Sequence, residues 1–362
     1  MRLLSKYVLI ELFPFFIYSF LLLTFLGLLQ KLIQSITLIF TRDVDFLVVV
    51  KIILYFLPST ILLTIPMSLV IAILMVFGKM SADKEIIAIK SAGINLFYII
   101  RPVLFFAIFF SLLLIFLNVK FIPDTSYKAK KTIYKMSIES PLIAIAEDKF
   151  NRLGDILLKF EKMNPELLSF TNAHIEFISD KNKIILAKKG KISKNKNGYI
   201  LIINDVSIHQ LEDDGKYKII HPIKEMIIPL EYFNSQLNSI YEKTIKMMNF
   251  YELKNFIKNF DKNNENLRLL INAKIYLTEM FVLPIACIAF AVIASPLGLI
   301  SKSGKTIGFG VSLILIFIYY VLLSFSETLA FKEIFSPYYI LWLPNIFLFI
   351  IGIFLIIKVI KI

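Results

Sequence analysis

Three observations on this sequence predict an α-helical integral membrane protein with six transmembrane helices in a 3+3 arrangement and an inserted antiparallel β domain. Hydrophobic residues make up 57% of the 362 positions, 34 of them Phe, and the mean hydropathy is +0.75, far above a soluble average. Apolar runs long enough to cross a hydrocarbon core of about 30 Å, which needs roughly 20 helical residues each, cluster at the two ends of the chain. Between them, from Asp124 to about Arg268, the chain turns polar and rich in Lys and Asn.

The first run follows Arg2 and Lys6 and extends from Val8 to Ile39. Its opening Val8 to Leu29 is too long for the apolar part of a cleaved signal, which spans about 7 to 15 residues and ends at a small-residue site, so it reads as a retained span. Further runs cover Phe46 to Phe77, Leu96 to Ile122, Ala273 to Ile300, Ile307 to Leu329 and Tyr338 to Val359. Lys and Arg in the short connections set the orientation. Arg2, Lys6, Lys79, Lys84, Lys90, Arg101, Lys302, Lys305, Lys358 and Lys361 all fall on one side. The opposite turns are nearly balanced, with Arg42 against Asp43 and Asp45, and Lys332 against Glu333. Both termini are therefore expected in the cytoplasm and the polar middle outside, which in a double-membrane bacterium is the periplasm. The net charge of +13 fits cytoplasmic anchoring and anionic lipid better than nucleic acid, for which no binding module appears.

In the middle segment, "NAHIEFIS", "KIILAKKGKI", "GYILIINDVSIHQ", "KYKII" and "KEMIIPL" are short β-branched runs with partial period-two alternation. Lys194 to Gly198 and Glu212 to Lys216 separate them as turns. An antiparallel sandwich or open barrel follows. Downstream, Phe250, Leu253, Phe256, Ile257 and Phe260 share one helical stripe, as in an amphipathic helix leading back to the membrane or a surface helix.

Reactive chemistry is sparse. His174, His209 and His221 lack the close pairing of a metal site. Neither a G-x-S-x-G elbow nor a carboxylate pair placed for catalysis is present. Cys287 is the only cysteine, so no intrachain disulfide forms. Gly304-Lys305-Thr306 ends like a phosphate-binding loop, but such a loop needs a glycine at position 299, which is Leu299. The stretch also joins two spans, where a phosphate loop needs a strand before it. Lys302 and Lys305 are read as topology anchors.

Two regions invite a function. Lys31 lies about 35 Å along the first helix from Val8 at a rise of about 1.5 Å per residue, near the outer leaflet. With Gln30 and Gln34 beside it, it is either a snorkelling interface lysine or part of a polar face turned to a cavity. Glu279 and Glu327 in the second bundle are open between helix-packing hydrogen bonds and cavity lining. The second region, Gly78 to Ile94, reads as a short cytoplasmic helix over residues 81–92. Ser81 caps it, Asp83 and Glu85 favour its dipole, Ile86, Ile87 and Ile89 offer apolar surface, and Gly93 ends it. Such a segment suits docking to a partner.

Taken together, "KYVLIELFPFF", "LLQKLIQ", "LTIPMSLVIAILMVFGKMSADKEIIAIKSAGI", "LNVKFIPDTS", "ASPLGLISKSGKTIGFG" and "YYILWLPNIFLF" resemble the lipopolysaccharide-export permeases of the LptF/LptG (YjgP/YjgQ) type over nearly the whole chain. The "QKL" triplet is closer to the LptF branch. The resemblance implies a periplasmic β-jellyroll domain (124–266) between transmembrane helices 1–3 (1–123) and 4–6 (267–362). It implies a permease subunit of an ABC-type transporter that passes lipopolysaccharide or a related anionic glycolipid from the inner membrane to a periplasmic bridge. The implied partners are a cytoplasmic ABC-type ATPase dimer, a second permease of the family and a single-span jellyroll accessory protein. No cofactor and no ATPase site in this chain are expected. By the same resemblance Lys31 matches a basic position facing lipid phosphates, with Gln30, Gln34 and Arg42 grouped with it; Gln34 stands where the next basic position falls. Ser81, Asp83, Lys84, Glu85, Ile86, Ile89 and Gly93 belong to the coupling segment. An ATP-independent membrane scaffold or receptor with a periplasmic binding domain is the alternative; a macrolide-exporter-type permease usually has four spans, and an enzyme lacks a reactive constellation.

Overall fold

The computed structural model describes residues 2–42, 46–139, 149–153, 156–164, 169–177, 183–195, 198–211, 217–229, 243–260, 267–300 and 304–361. Two compact units divide the chain. One comprises Met1–Leu32, Ile53–Ala129 and Thr244–Ile362, the other Ile33–Ile52 and Lys130–Lys243.

The helical elements are α1 (Arg2–Arg42), α2 (Phe46–Ala82), α3 (Glu85–Ser91), α4 (Phe97–Phe116), α5 (Ile122–Glu139), α6 (Phe250–Lys258), α7 (Leu267–Ile300), α8 (Gly304–Phe331), α9 (Pro337–Ile340) and α10 (Leu343–Lys361). Among the described residues six helical stretches are long and apolar enough to cross a membrane: Leu3–Leu29, Phe46–Ala82, Phe97–Ile133, Leu267–Ile300, Thr306–Phe331 and Pro337–Ile360. The third is longer than the sequence suggested. After α4 a π turn, Leu117–Phe121, passes directly into α5, so residues 124–139, assigned above to the β domain, are helical. A stripe of Ile122, Thr125 and Ala129, all buried, keeps the helical period through an otherwise polar stretch.

Within the first unit, α2 and α7 are the enclosed helices. Leu69 to Leu74 and Ala289 to Pro296 are buried without a break, whereas much of α1, α8 and α10 is exposed on one side. Small residues permit the closest approaches. A Cβ on Gly308 of α8 would lie 2.6 Å from the Leu74 carbonyl oxygen of α2, and one on Gly352 of α10 would meet Val292 of α7 at 2.7 Å.

Two asparagines from neighbouring elements donate to carbonyls of α7, one of which a proline has freed. Pro284 has no N–H, so the Met280 carbonyl four residues earlier loses its helical donor. Asn118, in the π turn, donates Nδ2–H to that carbonyl at 3.2 Å. Asn345 of α10 donates to the Val282 carbonyl at 2.9 Å. In a bilayer, where no water reaches a freed carbonyl, such donors are the available remedy. Most hydroxyls in the bundle bond to their own helix, Ser68 to Thr64 and Ser295 to Ala291 among them. Thr24 and Thr64 instead link α1 to α2 at 3.1 Å.

The expected amphipathic segment is α6, with a capping box. The Asn249 side chain accepts from the Glu252 N–H and the Glu252 carboxylate accepts from the Asn249 N–H. Leu253 on its apolar stripe packs with Ala273 and Met280 of α7.

The second unit holds an antiparallel sheet of β1 (Asn151–Leu153), β2 (Ile156–Asn164), β3 (Ser169–Phe177), β4 (Lys183–Asn195), β5 (Gly198–Leu211) and β6 (Tyr217–Pro229). Their spatial order is their sequence order, a meander; the described strands contain no crossover of the kind that defines a jellyroll. "KYKII" and "KEMIIPL", read as separate runs, are one strand, and β2 escaped the reading because Lys159, Glu161 and Lys162 dilute its alternation.

The apolar face changes step along one transverse row. On β3 the inward residues are Phe170, then Ala173 and Ile175; on β5 they are Leu201 and Ile203, then Val206 and Ile208. A strand keeps a spacing of two, but here it is three. The same spacing occurs on β6, where Ile223, Met226 and Ile228 join this core. Asn172 (φ 53°) and Asp205 (φ 54°) adopt the left-handed conformation in the gaps. The register sets Glu161, Asn172, Lys188, Asp205 and Lys224 opposite one another across five strands, a crease without a change in pairing register between β2 and β5.

Candidate functional site

The segment between the second and third spans is built from backbone geometry at both ends. α2 runs through Ser81 and ends at Ala82. The chain then reverses through Lys84, held at φ 59°, with Asp83 N–H donating to the Lys79 carbonyl at 2.9 Å and Lys84 N–H to the Ser81 carbonyl at 3.2 Å. Ser81 thus belongs to the last turn of α2, and the N-cap of α3 is Lys84, without a side-chain cap. Asp83 sits in the reversal and Glu85 alone supplies an acid to the first turn of α3. At the other end Gly93, at φ 74°, donates to the Lys90 carbonyl at 2.9 Å while Ile94 donates to that of Ile89 at 3.2 Å. This is the Schellman pair, which needs a residue tolerant of positive φ at that position.

Two side-chain links tie this segment to the start of α1. Tyr7 O–H points between both carboxylate oxygens of Glu85, at 2.9 and 3.0 Å. Lys79 Nζ donates to Glu11 Oε2 at 2.7 Å. Glu85 is therefore engaged within the chain. Both pairs are partly solvent-exposed, so each acts chiefly as a positional tie.

The isoleucines of α3 divide according to the 3.6-residue period. Ile86 is 6% exposed and Ile89 is half-buried, both in the helical core. Ile87, roughly 100° away from Ile86 around the helix, is 60% exposed. The outward face of this region carries Asp83, Lys84, Ile87, Ala88 and Lys90. The expectation that all three isoleucines face outward is thus corrected to Ile87 alone, because Ile86 and Ile89 stand on the face that seals α3 against the bundle.

Gln30, Lys31, Gln34 and Arg42 lie on the α1 backbone, but their side chains fall outside the described residues. Lys302 also falls outside them. Gly304 begins α8 directly, so "SKSGKTIG" joins two spans and follows no strand. His174 pairs with Glu176 at 2.8 Å on β3, and His209 lies 3.4 Å from the Ser207 hydroxyl on β5; the His221 side chain is outside the described residues.

Glu279 of α7 and Glu327 of α8 meet side chain to side chain. They lie 21 residues before the end of α7 and 23 after the start of α8, about 32 and 35 Å along antiparallel helices.

Sequence reasoning missed the roles of Asn118 and Asn345. Their signal was present: an asparagine in an apolar span demands a partner, and Pro284 announces a carbonyl in need of one. It also missed the crease, which shows as the spacing of three in "FTNA" and "INDV" where two was expected.

The model of the family described as lipopolysaccharide export system permease LptF/LptG matches residues 6–358. A search of curated proteins finds no match.

Proposed function

The chain belongs to the LptF/LptG family of lipopolysaccharide export permeases, and on that premise we propose that it is the membrane subunit of an ABC-type exporter for lipopolysaccharide or a related anionic glycolipid, on the LptF branch. Family membership and six apolar helices make it a multi-pass inner-membrane protein. In our reading both termini and α3 are cytoplasmic and the β sheet, Asn151–Pro229, is periplasmic, in keeping with the one-sided distribution of Lys and Arg.

The observation that carries the coupling role is α3 itself. It is a short helix set between two spans by a left-handed turn at each end, tied to α1 through Glu85, and turning a single large apolar side chain outward. A rigid, anchored helix transmits a push into α2 and α4, where a flexible loop would absorb it. ATP is hydrolysed by a partner ATPase dimer docked there. A second permease of the family completes the cavity, and a single-span accessory protein takes the lipid onward to the periplasmic bridge. Gln30, Lys31, Gln34 and Arg42 meet the anionic head group, and the β domain gives the acyl chains an apolar path while the sugars stay hydrated.

The test is made in cells. A photo-cross-linking residue at position 87 should capture the ATPase subunit, and native mass spectrometry of the extracted complex should report that subunit, a second permease and a bound glycolipid. Lys31→Glu should block export while leaving the complex assembled, since it replaces attraction for phosphate with repulsion. Purification of the chain without an ATPase or lipid would overturn the export reading in favour of a scaffold.

A further inference from the structure

The crease across the sheet offers more than a bend. On β3, β4 and β5 an open groove of about 550 Å³ runs along it, lined by the polar Asn172, His174, Lys188, Asp205 and Ser207 together with the exposed Leu186. These side chains stand on the face opposite the apolar core, which takes Ala173, Ala187 and Val206 from between them.

We propose that this groove binds a sugar unit carrying an anionic substituent. The argument starts from which groups are already used. Asn172 Nδ2 donates to Glu161 Oε2 at 2.7 Å, which leaves its Oδ1 as an acceptor facing out. His174 is occupied with Glu176. Lys188 and Asp205 are neighbours in the row, yet among the described residues neither has an ion-pair or hydrogen-bond partner. Among the described residues the Ser207 hydroxyl is engaged through a long contact to His209. Asn172, Lys188 and Asp205 are solvent-exposed, so a ligand that covers them has to replace water with hydroxyl donors for Asn172 and Asp205 and an acceptor, preferably charged, for Lys188.

That combination selects the chemical class. A bare phosphate would meet the Asp205 carboxylate, and a simple cation would meet Lys188. An apolar chain would leave four polar groups unpaired, at a cost each time. A polyhydroxylated ring with a phosphate or carboxylate on it satisfies every group at once, and the volume lies within the range of small-molecule sites.

The strained backbone contributes to the site. In a regular strand, residues 172 and 205 would fall in step with the inward row; the left-handed turn at each one keeps its side chain on the outer face beside Lys188. Asn and Asp tolerate that conformation because their short polar side chains bond locally, so residue identity by itself would be explained by the bend. Glycine separates the two roles, since it keeps the positive φ and removes the polar group.

This inference rests on the export reading only in that the cargo supplies such a sugar; binding itself is measured without export. The full-length protein in lipid nanodiscs is titrated with glucose 1-phosphate, with glucose and inorganic phosphate as controls, by saturation-transfer NMR. Millimolar binding of glucose 1-phosphate, about tenfold tighter than either control, is expected. Asp205→Gly, Asn172→Gly and Lys188→Gln should each weaken it about tenfold, equivalent to about 1.4 kcal/mol, while the melting temperature stays within a few degrees. If a glycine variant unfolds, Ser207→Ala, which leaves the backbone unstrained, takes its place and should weaken binding. Binding unchanged by these variants, no preference over both controls, or no binding by the unaltered protein would overturn the proposal, whether or not the export complex assembles.

Discussion

Ile86 and Ile87 are adjacent in sequence and opposite in consequence, so truncating each in turn tests how α3 works. Burying an isoleucine side chain completely is worth about 1.5–3 kcal/mol. Ile87 is 60% exposed, which leaves about 1–2 kcal/mol to be gained when a partner covers it. Ile87→Ala should therefore weaken ATPase-subunit binding about 5- to 30-fold and leave the fold nearly untouched, since exposed substitutions usually stay within about 0.5 kcal/mol. Ile86 has spent its apolar surface inside the bundle, at 6% exposure. Ile86→Ala should cost about 2–5 kcal/mol of stability through the cavity it leaves, and weaken docking only through the loosened helix. The assay is a titration of fluorescent ATPase subunit against protein in nanodiscs, run beside thermal unfolding followed by intrinsic fluorescence. Full affinity in Ile87→Ala, or an unshifted melting temperature in Ile86→Ala, would refute the division of α3 into a sealing and a docking face.

Two further outcomes concern the bundle. Asn118→Leu should destabilise the protein by about 1–3 kcal/mol by stranding the Met280 carbonyl; adding Pro284→Ala, which returns the helical N–H, should recover much of the loss, and a double-mutant cycle on melting temperature with zero coupling would rule out the donor role. Gly308→Ala should lower stability by about 1–3 kcal/mol through overpacking, because the new methyl meets the Leu74 backbone at 2.6 Å, which cannot rotate away; a variant melting like the unaltered protein would contradict that contact.

Much of the architecture was legible because it depends on quantities that accumulate along the chain. Spans are sums of hydropathy over about 20 residues, so their number and position survived local irregularity. Gly93 was readable as a helix stop because only a residue at ease with positive φ closes the Schellman turn there. The strands from Lys183 to Leu211 were found through their β-branched runs. What failed was local and geometric. Ser81 looked like a cap, but a serine caps only when the preceding chain is not already helical, and α2 extends through it. The helical continuation at residues 124–139 was hidden by a polar composition that outvotes a narrow buried stripe.

The sequence by itself determined that this is a six-span membrane protein with a β insertion, and that the segment between the second and third spans holds a short helix ended at Gly93. Only the tertiary structure decided which isoleucine of that segment faces outward, which carbonyls of α7 accept from Asn118 and Asn345, and that β3, β5 and β6 lose step along a common row. Composition and period are properties of one segment, whereas facing, pairing and alignment are relations between segments far apart in the chain. Those relations depend on packing: the bundle that covers Ile86 leaves Ile87 exposed, and the register that aligns Asn172 with Lys188 and Asp205 is set by strands up to 33 residues apart.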